Sequence, residues 1–136
     1  MKGLSAAALF AAIALGPAPG HAREPEEVRV AFERAIPNVP GKSLVAIVVT
    51  YLPGGKSPSH RHAGSAFIYA HVLSGAVRSQ VNDDPVKVYR AGEGWHELPG
   101  SHHRVSENAS DREPASLLAV FVVDSHDVPL TVADQK

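Results

Sequence analysis

The chain is divided into short apolar or alternating segments that end in turns built from Gly, Pro, Asn and Asp. Residues 44–51, LVAIVVTY, form a β-branched run that predicts a strand buried on both faces. Apolar runs or alternation predict the other strands, which cover residues 28–32, 67–73, 76–81, 86–89 and 117–123. Residues 24–32 could instead start as a helical turn, and the polar residues 107–114 predict a loop. Many short strands without a sustained helical period predict an all-β sandwich or barrel.

The first 22 residues follow a different pattern. A positive start at Lys2 is followed by an apolar run over residues 4–15 and by helix breakers and small residues over 16–22. This order is typical of a secretory signal peptide, and the apolar run is too short to span a bilayer as a membrane anchor. We therefore expect cleavage after residue 22, a single domain over residues 23–136, a periplasmic or secreted protein, and no membrane association after cleavage.

Composition narrows the classes of partner and site. The formal net charge of -1 gives no basic excess, so we expect no nucleic-acid partner. Cysteine is absent, which excludes disulfides and thiolate metal sites. Eight histidines are many for 136 residues, and most of them fall between residues 60 and 103. This clustering points to a histidine site.

His60 and His62 are the first candidates for that site. In a strand, a spacing of two places both imidazoles on the same face, where they can grip one metal ion. The alternative for such a short motif is two surface histidines. About forty residues later, the turn at Pro99 and Gly100 leads to His103 at the start of another predicted strand.

These two segments resemble the motifs of the cupin superfamily, G-x5-H-x-H-x3,4-E-x6-G and G-x5-P-x-G-x2-H-x3-N. The matching positions are Gly54, His60, His62, Gly75, Gly92, Gly100 and His103. The resemblance covers about residues 43–123. It implies a double-stranded β-helix, which is a jelly-roll barrel, whose motif histidines His60, His62 and His103 point inward at one metal ion.

The sequence departs from the family pattern at the carboxylate. The motif glutamate should fall at Ala66 or Phe67, and neither residue can coordinate a metal. The stretch from His62 to the closing glycine is also longer than the pattern, which predicts a bulge. His71 is the candidate for a fourth ligand, with a core or outward-facing histidine as the alternative.

Other polar residues near the motifs are candidates for catalysis or substrate contact. Glu97 lies close to the second motif, but it and His96 must point to opposite faces of a strand, so at most one lines the barrel. Arg78 and Gln80 share a face and could contact a substrate, or could form a solvated strand face.

For two aromatic residues and for His102, the sequence leaves open whether the side chain lines the predicted site. Trp95 and Tyr69 could wall a pocket or pack in the core. His102 should face away from His103 because adjacent strand residues alternate.

Three neutral imidazoles suit one divalent transition metal, and they do not distinguish Fe, Zn, Mn, Ni and Cu. Three ligands leave an open coordination position, as in catalytic sites. The resemblance implies a dioxygenase-like oxidoreductase that acts on a small oxygenated molecule, or a non-catalytic periplasmic module that binds a metal or a small ligand. An open barrel edge also offers a surface for a homodimer.

Overall fold

The computed structural model describes residues 25–135, and the expected signal peptide lies outside this range. The described residues form ten strands and no helix. The first five strands are β1 (Glu26–Ala35), β2 (Lys42–Tyr51), β3 (His60–His62), β4 (Phe67–Ser74) and β5 (Ala76–Val81). The other five are β6 (Lys87–Arg90), β7 (Gly94–Glu97), β8 (His102–Asn108), β9 (Ala115–Asp124) and β10 (Thr131–Ala133).

The strands form two five-stranded sheets in which every neighbouring pair is antiparallel. One sheet has the order β1-β2-β9-β4-β7, and the other has the order β10-β3-β8-β5-β6. Strands that are distant in sequence lie side by side, which is the jelly-roll arrangement. The prediction of an all-β jelly-roll barrel is confirmed.

The chain departs from the sequence-based strand assignment in four places. No helical turn forms in the described part of residues 24–32, because β1 pairs with β2 from Glu26 to Ala35 with one register shift between Val30 and Phe32. The segment predicted as a loop from residue 107 begins inside β8, which continues to Asn108. Strands β7 and β10 were not predicted; both are short, with four and three residues, and Gly94 opens β7.

Two apolar clusters fill the space between the sheets. The residues of the first cluster are Val45, Ile47, Ala63, Ala66, Ile68, Phe121 and Val123. Those of the second are Tyr51, Ala70, Val72, Val77, Trp95, Ala115 and Leu117. Most inward residues of β2 are buried, while most of its outward residues are only half-buried, so the expectation of a strand buried on both faces is met in part.

The expected bulge lies near the end of β4, where the register with β9 shifts between Val72 and Ser74. At the edge of the first sheet, nine of the ten residues of β1 are exposed. No helix that could cross a membrane occurs within residues 25–135.

Candidate metal centre

Two neighbouring strands bring three histidines together on the inner face of the second sheet. His60 and His62 project from β3, and the pairing of β3 with β8 sets His103 directly opposite His60. The ring centroids of His60 lie 4.7 Å from His62 and 5.0 Å from His103. One potential ligand atom from each residue lies within 4.8 Å of the other two. Nitrogens bound to one ion at about 2.1 Å are at most about 4.2 Å apart, so small ring movements suffice to gather them.

The second ring nitrogen of each histidine is held by an oxygen. His60 Nδ1 donates to the carbonyl of Pro58 at 2.7 Å. His62 Nδ1 lies 3.2 Å from the carbonyl of Leu130 and 3.0 Å from the hydroxyl of Thr131. Because a carbonyl can only accept, Nδ1 of both histidines carries the proton and Nε2 keeps its lone pair for a metal.

His103 is held in a different way from the other two histidines. Its Nε2 is hydrogen-bonded to the hydroxyl of Ser79 at 2.9 Å, which leaves Nδ1 to face the site. Partners of this kind fix the orientation of metal-binding histidines. The donor set therefore fits one metal ion bound by neutral imidazoles.

Burial keeps the imidazoles neutral. Burial, followed by repulsion from His60, lowers the pKa of His62 to about 4. Burial and repulsion from both neighbouring histidines lower the pKa of His103 to about 3. Neutral imidazole is the form that binds a metal, so these two residues need lose no proton near pH 7.

Glu97 places a carboxyl group beside the histidines. Its side chain is buried, with Oε1 lying 3.2 Å from Nδ1 of His103 and accepting a 3.2 Å hydrogen bond from Trp95 Nε1. Oε2 lies 3.5 Å from Nε2 of His62 and has no hydrogen-bond partner among the described residues. Burial raises the pKa of Glu97 to about 7. Without a metal, these are contacts with neutral imidazoles rather than ion pairs.

Close packing of two strands brings Glu97 to this position. Strand β7 pairs with β4, and Gly94 lies so near β4 that an added Cβ would be 2.2 Å from the carbonyl oxygen of Ala70. Three residues later the same pairing sets Glu97 opposite Ile68. Only a residue without a side chain allows this approach.

A cavity of about 360 Å³ opens onto the histidines and Glu97. Its walls are mainly apolar and include Ile47, Ile68, Trp95, Leu117 and Phe121. This volume and lining are typical of a small-molecule site.

One wall of the cavity carries a polar network. The Tyr51 hydroxyl is hydrogen-bonded to the hydroxyls of Ser57 and Ser106, and Ser57 donates to Glu26. All four residues line the cavity. Burial raises the pKa of Tyr51, so its phenol keeps its proton at neutral pH.

His71, the candidate for a fourth ligand, lies on the outer face of the barrel, which is the outward-facing alternative. In β4, the inward positions are Ile68, Ala70 and Val72, so His71 projects from the opposite face. Its Nδ1 is hydrogen-bonded to the hydroxyl of Tyr69 at 3.1 Å, and it does not belong to the histidine group.

Arg78 and Gln80 also lie outside the cavity, which corrects their role as candidates for substrate contact. The inward residues of β5 are Val77 and Ser79. Arg78 forms a 2.6 Å ion pair with Glu107, and Gln80 donates to the carbonyl of Asp84. Both side chains belong to a solvated strand face.

Of the remaining residues considered from the sequence, some lie on the inner face of the barrel and others on its outer face. Trp95 lines the cavity, whereas Tyr69 is 46% exposed on the outer face. His96 is exposed and Glu97 is buried, so the glutamate is the residue that lines the barrel. His102 faces away from His103, as expected, and contacts Ser59 and Asp134.

Two groups of residues were not predicted from the sequence: those that hydrogen-bond the histidines, and those that form the polar network in the cavity wall. Ser79, Thr131 and Tyr51 belong to ordinary strand patterns, and no motif marks them. The alternation of β5 around the outward Arg78 was the one signal that could have placed Ser79 inside.

A family model for the cupin domain matches residues 47–121, more than half of the chain. The matched region contains all three histidines and Glu97. The chain belongs to the cupin family. No curated protein sequence matches this cupin at a significant level.

Solved structures show the same fold at low sequence identity. An uncharacterized protein with a double-stranded β-helix domain from Klebsiella pneumoniae is 21% identical, with a TM-score of 0.63 over 89% of this chain and 90% of that one. A recombinant oxalate oxidase in complex with glycolate is 21% identical, with a TM-score of 0.62 over 82% of this chain.

The likeness extends to DMSP lyase DddQ from Ruegeria pomeroyi, which is 23% identical with a TM-score of 0.56 over 66% of this chain. The cupin described here spans 56% of the oxalate oxidase and 42% of the lyase. At these identities the likeness shows the fold alone.

Proposed function

We propose that this cupin holds one divalent transition-metal ion on His60, His62 and His103 and is a dioxygenase-like oxidoreductase that acts on a small oxygenated molecule. The supporting observation is the set of three imidazoles, two buried and one half-buried, each fixed through its second nitrogen at the wall of an apolar cavity. A surface cluster of histidines would have neither the fixed orientation nor the cavity.

The chain supplies binding, orientation and exclusion of water around this ion. When bound, the ion supplies Lewis acidity and, if it is redox-active, access to oxygen chemistry. The apolar walls exclude water and leave the polar groups of Tyr51 and Ser106 to orient a substrate hydroxyl or carbonyl. Oxalate oxidase and DMSP lyase, which share the fold, show that cupins host different chemistries.

Metal content of purified variants tests the binding part of the proposal. His60→Ala, His62→Ala and His103→Ala should each lose most of the bound metal, because two imidazoles cannot hold the ion as three do. His71→Ala is the matched control, since it removes a histidine from the outer face and should keep full occupancy. Full occupancy in the triple variant at residues 60, 62 and 103 would overturn the proposal.

Oxygen consumption tests the catalytic part. The iron-reconstituted protein is tested with a panel of catechols, flavonols, diketones and thiols, and uptake is compared with that of His60→Ala and His71→Ala. Oxygen uptake that is lost in His60→Ala and kept in His71→Ala supports the proposed oxidoreductase activity. A metal-loaded protein that consumes oxygen with none of these compounds would favour the non-catalytic module that binds a metal or a small ligand.

We also propose that the protein acts outside the cytoplasm, after cleavage at residue 22. The support is the tripartite pattern of the N-terminal residues, which lie outside the described range. Intact-mass measurement of exported protein should give a chain that begins at Arg23. A mature mass that still includes residues 1–22 would contradict cleavage.

A further inference from the structure

The carboxylate that the first motif lacks has a counterpart on another strand. We propose that Glu97 is the fourth protein ligand of the metal ion, carried into the site by β7 instead of β4. This inference rests on the proposed metal site and goes beyond it, because it assigns Glu97 to coordination rather than to proton transfer.

The strand register places Glu97 where such a ligand is needed. The motif glutamate is expected at Ala66 or Phe67, and the next inward residue of β4 is Ile68. Glu97 is the cross-strand partner of Ile68 and points to the same inner face. Directly opposed side chains begin only about 5 Å apart, so a glutamate on β7 reaches the space that a glutamate on β4 would fill.

The hydrogen bonds of Glu97 leave one of its oxygens free to bind a cation. Oε1 is occupied by Trp95, whereas Oε2 is buried without a partner and faces Nε2 of His62 at 3.5 Å. Since Nδ1 of His62 carries the proton, its Nε2 is an acceptor. When Glu97 is ionised, two acceptors therefore face each other at 3.5 Å in a buried site, which is unfavourable. A metal ion bound by both atoms removes the conflict.

The most direct test uses the unaltered protein. A crystal structure of wild-type protein loaded with Zn²⁺ or Mn²⁺ should place a Glu97 oxygen about 2.0–2.2 Å from the ion, together with the three histidine nitrogens. An ion bound by the histidines with both Glu97 oxygens more than about 3 Å away would overturn the inference.

Metal selectivity provides a second test in solution. Carboxylate ligands favour Mn²⁺ more than they favour Zn²⁺, so Glu97→Gln should weaken Mn²⁺ binding about ten times more than Zn²⁺ binding. The visible spectrum of the Co²⁺-loaded variant should change as well, because a ligand of the ion has been replaced. Ser79→Ala is the matched control, since it disturbs only the orientation of His103 and should weaken both metals by a similar factor.

The outcomes separate this inference from the proposed function. If Glu97→Gln leaves both the Mn²⁺-to-Zn²⁺ ratio and the Co²⁺ spectrum unchanged while His60→Ala abolishes binding, the three-histidine site stands and Glu97 is not a ligand. If wild-type protein binds none of the three metals, the proposed function fails first.

Discussion

Two buried neutral histidines make the stability of the metal-free protein depend on pH. Between about pH 4.5 and 6.5, His62 and His103 take up protons when the chain unfolds but remain neutral when it is folded, because their pKa values are lowered to about 4 and about 3. Glu97 acts in the opposite direction, since its pKa of about 7 lets the folded protein keep a proton that the unfolded chain releases. The unfolded state thus binds about one more proton than the folded state.

We therefore expect the free energy of unfolding of metal-free protein to fall by about 1.4 kcal/mol per pH unit as pH is lowered through this window. Urea unfolding at several pH values measures it. Glu97→Gln removes the opposing proton and should steepen the slope to about 2.7 kcal/mol per pH unit. Equal slopes for the two proteins would show that folding does not raise the pKa of Glu97.

The sequence predicted the three grouped histidines but could not choose among the other candidates. His60 and His62 follow from alternation, and His103 follows from the family pattern. His71 was misplaced because β4 is apolar on both faces, with Phe67 and Tyr69 outside, so its inward face cannot be recognised from the residues. For Glu97, alternation established only that its side chain and that of His96 point to opposite faces of the same strand.

Close packing of β7 against β4 makes Gly94 a sensitive position. Gly94→Ala would bring a Cβ 2.2 Å from the carbonyl oxygen of Ala70 and 2.9 Å from the Tyr69 hydroxyl, so the strands must separate. We expect the free energy of unfolding to fall by about 1–3 kcal/mol, as for other overpacked sites. The fluorescence of Trp95, the single tryptophan, should change because it is the adjacent residue.

Gly64→Ala is the matched control for this substitution. Its added Cβ would meet nothing within 4 Å, so stability should change by less than about 0.5 kcal/mol. Chemical denaturation of both variants measures the difference. Equal stabilities would show that β7 can move away from β4 without cost.

Strands with a clear apolar or alternating pattern were predictable from the sequence, and the short strand β10 was not. The segments 67–73, 76–81 and 117–123 nearly coincide with β4, β5 and β9. Strand β10 has only three residues and is formed by pairing with β3, in which His62, the partner of Thr131, lies 69 positions earlier in the chain. Such a strand depends on tertiary contacts, and a local pattern does not contain them.

Because the proposed ion binds only the folded barrel, it should stabilise the whole molecule. At a free Zn²⁺ concentration 100 times the Kd, the free energy of unfolding should rise by about 2.7 kcal/mol. Thermal or urea unfolding with and without the ion measures this gain. The His60→Ala variant should gain little, whereas an equal gain in that variant would indicate stabilisation from another site.

Dimerisation through an exposed edge stays a prediction of the sequence. The structure gives this edge a location, since β1 closes one side of the first sheet and nearly all of its residues are exposed. Exposed strand edges can pair with other chains.

The three-residue strand β10 holds one histidine of the candidate metal site from the edge of the second sheet. Its segment supplies the Leu130 carbonyl and the Thr131 hydroxyl that hold His62, and among the described residues β10 is paired with β3 alone. Short edge strands with few contacts open by local unfolding more often than the rest of a domain. Each opening would release the ring of His62, so the opening of β10 and the loss of the proposed ion are coupled equilibria.

Coupling of this kind is reciprocal: if closed β10 strengthens metal binding by some factor, the bound metal closes β10 by the same factor. Amide hydrogens of residues 131–133 should therefore exchange more slowly with deuterium when the ion is present, even though none of these residues binds it. Thr131→Ala should reduce this protection and speed the release of the metal. The rate at which β10 opens would then set the residence time of the ion.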